Sequence, residues 1–352
     1  MKKFLLFGAA FTVLILTSCS KGGDGGGSSP VVTDDRPVVK LTKTAILADG
    51  FESSTISVLD KNNNDITSQC VITINNVVAN NLEFYTGTAG TYTIKAKLVS
   101  KESLPVTINA SSPGPSKYSQ KVLAEDFTGA WCGYCPRVAY SLDQVAASNS
   151  RVIGLAVHNG DPMAHPQEAQ LRARWGINAW PTAMVNRKYE WNEQASVLTG
   201  ETNKWSPLGL AIESNITGST ISGKVKTEFD VTTSLPLVVC IMLVEDGIIY
   251  PQTSYYNATS GSPFFGMGNP INNYVHNHTL RKFSTGIFGD AIPAASQVKG
   301  TVYEKTFSFD ATGYNTAKCS IVAFVGYGEG LANRAGALNV QIVKAGLNQA
   351  FD

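Results

Sequence analysis

"FTGAWCGYCP", Phe127 to Pro136, sets two cysteines two residues apart behind a tryptophan and ahead of a proline. Three chemistries use such a pair. A redox centre needs one cysteine as a thiolate and a second able to attack the mixed disulfide. A zinc site needs two further ligands, usually a second such pair or two histidines. A staple needs only closure. "KVLAEDF", ahead of the pair, reads as an apolar strand. Behind it Val138, Ala139, Leu142, Val145 and Ala146 recur at helical spacing. A helix starting at the pair would put Cys132 among unpaired N–H groups that favour a thiolate. Cys132 is then the nucleophile and Cys135, one turn on, the resolving thiol, with Gly133 and Tyr134 setting the local conformation. No metal site is assigned, because Cys70, Cys240 and Cys319 stand isolated in expected strands.

Outward from the pair the pattern is strand, helix, strand, helix, strand. "RVIGLAV" (151–157) is a continuous apolar run, as buried parallel strands are. Pro166 to Trp175 reads as a helix ended by Gly176, and "TAMVN" (182–186) as a strand. Residues 118–205 are expected to form this α/β layer. Residues 37–110 read as short strands separated by turns such as Lys61 to Asp65, an immunoglobulin-like β-sandwich. Residues 111–117, rich in proline and serine, are a linker. From 206 to 352 the chain returns to β, a C-terminal β-sandwich, with long polar and aromatic surface loops from Tyr250 to Pro293. The expected fold class is multidomain α+β. His158 to His165 reads as a polar turn after a strand, and His276 and His278 as a solvated pair.

The N-terminus has a short basic start and an apolar run from Phe4 to Leu16, too short to span a bilayer comfortably. It ends in Leu16-Thr17-Ser18-Cys19, which resembles a bacterial lipobox. That resemblance implies a signal peptide over 1–18 and lipid on Cys19. Gly- and Ser-rich residues 19–36 are a flexible tether. Net charge is +1 and no basic run is present, which excludes a nucleic-acid partner. Of six cysteines, five remain once Cys19 is lipidated, so at least one does not pair within the chain.

The run Asp126 to Cys135 resembles the active site of the thioredoxin superfamily, tryptophan included. The resemblance implies that Asp126 aids proton transfer. Trp175-Gly176-Ile177-Asn178-Ala179-Trp180-Pro181-Thr182 is similar to the run leading to that family's cis-proline, which Pro181 would be. Trp131, Gly133, Tyr134, Trp180 and Thr182 would then meet the client. The architecture from Lys117 onward also resembles outer-membrane lipoproteins of the Omp-twenty-eight-related type. The expected function is a membrane-anchored thiol–disulfide oxidoreductase that needs no cofactor. Its clients would be exported protein thiols or disulfides, with electrons from an unidentified redox partner, in the outer membrane. The alternative is a surface-exposed binding or adhesion lipoprotein in which the cysteine pair is structural.

Overall fold

The computed structural model describes residues 34–331 and 333–352. The signal peptide, Cys19 and most of the tether lie outside the described residues. No helix among those described is long and apolar enough to cross a membrane.

The N-terminal module is a small β-sandwich of a three-stranded and a six-stranded sheet. Ser53–Leu59 points Ser54, Ile56 and Val58 inward and the intervening residues outward, the period-two pattern of a strand with one face on a core. Val39, Ile46, Phe84, Ile94 and Ile108 fill that core with them.

The rest of the chain is organised by one nine-stranded sheet. Its order is Tyr189–Glu190, Thr182–Val185, Val122–Thr128, Val152–His158, Thr279–Phe283, Leu237–Glu245, Cys319–Tyr327, Ala337–Lys344. Asp290–Ala291 pairs additionally with Leu237–Glu245. Val122–Thr128 runs parallel to Val152–His158, and the latter parallel to Thr279–Phe283. The remaining pairings are antiparallel. A second sheet, Leu208–Thr217, Thr220–Phe229 and Val302–Asp310, lies against one face.

The apolar run Leu237–Val244 is explained by burial on both faces. Leu237, Val239, Ile241 and Leu243 pack against the second sheet. Cys240, Met242 and Val244 pack on the opposite side with Leu123, Phe127, Leu155 and Leu171. The same geometry keeps Cys240 and Cys319 apart. Their strands are neighbours, but Cys240 faces Phe324 and Cys319 faces Glu245 in register. They point into different cores, and both thiols are free and buried. Cys70 is free and half-buried.

Three helices cover the sheet among the described residues: α1 (Cys135–Ser148), α2 (Glu168–Trp175) and α3 (Ala195–Glu201). α1 buries Val138, Leu142 and Val145 against Val122, Ala124 and Val152, as its spacing predicts. α2 ends at Gly176, whose φ of 65° lies in the left-handed region open to glycine.

The expectation of a multidomain α+β chain with a central thioredoxin-like α/β domain is corrected. Strands dominate, and on the Val152–His158 side the α/β segment does not end at a sheet edge. The N–H of Ala156 donates to the carbonyl of His278 (2.8 Å), so the strand Thr279–Phe283 joins Val152–His158 and carries the sheet into C-terminal strands.

One buried ion pair locks these strands. Arg187 donates from Nε and Nη2 to Glu125 at 2.7–3.0 Å and from Nη1 to the carbonyl of Ile287 at 3.1 Å. Its guanidinium lies over the rings of Trp175 and Phe324. Both partners are almost fully buried. Glu125→Gln, which leaves the guanidinium without its counter-charge, is expected to lower stability by about 3–5 kcal/mol. Glu125→Leu combined with Arg187→Met is expected to cost less than the single change. Denaturant unfolding of both variants checks the order.

Candidate functional site

The cysteine pair sits where the strand Val122–Thr128 turns into α1. Cys132 lies in the turn, its N–H donating to the carbonyl of Gly129, and Cys135 opens the helix with Pro136 behind it. The two are joined as a disulfide with Cα atoms 5.4 Å apart. Trp131 and Tyr134 flank them and are exposed, whereas the cysteines are 5% and 1% exposed.

What buries the pair is a segment far away in sequence. In the stretch after Tyr250, the N–H of Thr253 donates to the carbonyl of Ala130 (2.8 Å), and that of Tyr255 to Gly133 (3.0 Å). The Gln252 amide donates to the carbonyls of Gly129 (3.2 Å) and Cys132 (2.9 Å). The Tyr255 ring lies on Gly133 so closely that a Cβ there would stand 2.5 Å from it. The backbone of the cysteine turn is thus occupied by the chain itself. Gln252 and Tyr255 were not singled out from sequence. The signal was the density of aromatics between Tyr250 and Tyr274, read there as surface loop.

The other expected site residues fall nearby. Trp180 precedes Pro181 across a cis peptide bond, and its ring meets Trp131 edge-on at 5.5 Å. Thr182 is buried and pairs with Phe127 in the sheet. Trp131 is held by its indole N–H, which donates to the carbonyl of Asn159 (2.8 Å). His158 is not part of the expected polar turn. It is buried at the strand end, with Nδ1 2.7 Å from Asp161, which also accepts from the N–H groups of Ala130 and Met163. His276 packs edge-on against His158, and burial, then the neighbouring His158, lowers its pKa to about 4. His278 is gripped by Asp246, whose hydrogen bond raises its pKa.

Asp126 lies beneath the pair, lining a cavity of about 50 Å³ with Cys135, Asp143, His158 and His276. Neither carboxyl oxygen has a hydrogen-bond partner. Burial, then the charges of Glu193 and Asp143, push its pKa up to about 8. Among the described residues no group of three or more His, Cys, Asp or Glu is placed to hold a metal ion.

The model of the family "Outer membrane protein Omp28" matches residues 168–349. That is just over half of the chain, which therefore belongs to the Omp28 family and is an outer membrane protein. Among solved structures the chain is similar to HBP35 of Porphyromonas gingivalis. The two share 19% identity at a TM-score of 0.54, over 65% of this chain and 76% of that one. That likeness supports a common β-rich fold. A match to the Yersinia pseudotuberculosis adhesin InvE, at 11% identity over 90% of this chain and 58% of that one, has a TM-score of 0.19 and carries no argument. No curated protein matches the chain.

The expected thiol–disulfide oxidoreductase is accordingly corrected. The family that matches is one of outer membrane proteins, the fold is β-dominated, and the disulfide is buried in a turn that carries the Tyr255 ring on Gly133 and has its carbonyls already bonded. The alternative, a binding protein with a structural cysteine pair, fits these findings better.

Two predictions follow from this packing. Tyr255→Ala uncovers the turn, so dithiothreitol should reduce the disulfide of the folded variant at least ten times faster than that of the parent, as read by thiol release. For Asp126, the unfolded carboxyl loses its proton near pH 4 while the folded one keeps it to about pH 8. The native state binds the extra proton in that window, so this group's contribution to stability falls as pH rises through it, by at most about 1.4 kcal/mol per unit. Asp126→Asn should flatten the pH dependence between 4 and 8 and raise stability at pH 8, measured by denaturant unfolding across that range.

Proposed function

We propose that this chain is a partner-binding, adhesion-type lipoprotein of the outer membrane, tethered by lipid on Cys19, in which Cys132–Cys135 is a staple. The observation that carries the reading is the aromatic face built over that staple. Trp131, Tyr134 and Tyr255 are each about half exposed, as are Phe265 and Met267 in the segment that follows. Tyr134 packs edge-on against Tyr255 at 5.0 Å and Tyr256 at 6.2 Å. Arg137 stands beside them, donating to Glu193 and to the Tyr256 hydroxyl. A soluble surface seldom groups this much apolar area without use. Tyr, Trp, Met and Arg are the residues enriched in protein interfaces, and Tyr, Trp and Arg dominate their hot spots. The occupant that fits is therefore another exported protein, held without exchange of disulfides.

The test is adhesion of cells carrying the full-length chain to a surface coated with serum proteins. Cells lacking the chain set the baseline. Trp131→Ala with Tyr134→Ala and Tyr255→Ala should fall to that baseline while the protein remains folded in the membrane. Cys132→Ser with Cys135→Ser should still adhere, at the cost of about 2 kcal/mol for opening a four-residue loop. Loss of adhesion in the cysteine variant alone, with the aromatic variant unaffected, would overturn the reading.

A further inference from the structure

Away from the aromatic face, the N-terminal sandwich and the body meet in a cleft. Two adjoining cavities, of about 700 and 540 Å³, share Asp49, Phe51 and Trp205. Each falls within the roughly 300–1,000 Å³ typical of small-ligand pockets, which favour junctions between modules. Trp205 follows α3 and lines both cavities with its ring half-buried. Its indole N–H is buried without an acceptor, so no hydrogen bond fixes the ring from behind.

Most of the charges around the cleft are paired, and the lining carries as many carboxylates as cations, with Lys188 and Asp49 outside any ion pair among the described residues. Lys43 pairs with Glu52 (2.7 Å) and Lys299 with Asp230 (2.9 Å). Arg334 pairs with Glu83 (3.1 Å), and Lys204 with Glu201. Asp49 accepts from the N–H groups of Phe51 and Glu52 (2.7 and 2.8 Å). An ionic ligand would have to compete with these pairs. Hydroxyls complete the rim: Thr232 and Ser234 are exposed and Thr233 half-buried beside Phe51 and Trp205. The lining thus offers aromatic faces, hydroxyls and charge that balances overall.

We propose that this cleft binds a neutral saccharide, with Trp205 as the stacking platform. A pyranose ring has a C–H face that lies against an indole and a girdle of hydroxyls that bond to Thr, Ser and amide groups. An amphipathic ring such as tryptophan suits that mixture of apolar contact and polar edge. The site is separate from the aromatic face and does not rest on the function proposed for it.

The experiment is isothermal titration of the purified full-length lipoprotein in detergent with neutral hexasaccharides: malto-, cello-, manno- and chitohexaose. At least one should bind saturably. Trp205→Ala should weaken that sugar at least tenfold, while Trp205→Phe should retain most of the affinity. Ser234→Trp, placed on the exposed rim, fills the cleft without touching the core and should abolish binding if Trp205→Ala does not fold. Cell adhesion through Trp131 and Tyr255 should survive both changes. The proposal is overturned if none of the four sugars binds at millimolar concentration. It is equally overturned if binding is indifferent to Trp205→Ala and Ser234→Trp, or if an unstructured peptide competes the sugar away at equal concentration.

Discussion

The Glu125–Arg187 pair is the buried charged contact on which the packing of the strands around it depends. It ties three segments distant in sequence: the strand Val122–Thr128, the turn after Thr182–Val185, and the loop at Ile287. Arg187 reaches it from a backbone φ of 55°, a conformation that non-glycine residues seldom adopt. Desolvating both charges costs several kcal/mol per ion, and only complete pairing offsets it. The bidentate geometry, the carbonyl of Ile287 and the rings of Trp175 and Phe324 supply that pairing. A sheet that slipped by one residue would turn Glu125 to the other face, so the pair fixes register as well as contact.

Much of the sheet was legible in the sequence. The continuous apolar run "RVIGLAV" announces a buried strand, and the 3.6 period after Cys135 announces α1. What lies beside each strand was not legible, because partners in a sheet are chosen by long-range packing that leaves no local pattern. The α/β segment illustrates this. Its strands were readable one by one, yet nothing in "RVIGLAV" says that Ala156 will bond to His278 and admit a strand from more than a hundred residues away. A closed domain was the natural expectation from local order, and the sheet instead continued into the C-terminal region.

The cysteine turn divides in the same way. Its position at the head of a helix and the flanking Trp131 could be read from spacing and residue type, whereas a role for Asp126 was implied only by the resemblance to a known family. The cover of the turn could not be read. Tyr255 sits in a polar, aromatic stretch without periodicity, and its role depends on Gly133, which lacks the Cβ that would exclude the ring. A glycine between two cysteines looks like a conformational requirement of the turn. Here it is also a seat for a side chain 122 positions on, which closes over the backbone of the turn.

Burial of the pair and presentation of the aromatic face follow from one arrangement. Gln252, Thr253 and Tyr255 bond to the carbonyls of the turn, and the turn is in turn held by Asp161 through the N–H of Ala130 and by the disulfide. Trp131 and Tyr134 therefore project from a backbone fixed on three sides. A face of this kind loses little conformational freedom when a partner docks, and reduced ordering cost is a main source of affinity for a surface of modest area. Asp126 is compatible with the same design. Its neighbours in the sheet register, Ala156 and Ala183, are small, and the carboxyl escapes the penalty of a buried charge by keeping its proton. The disulfide then serves as the fixed point about which strand, helix and loop converge.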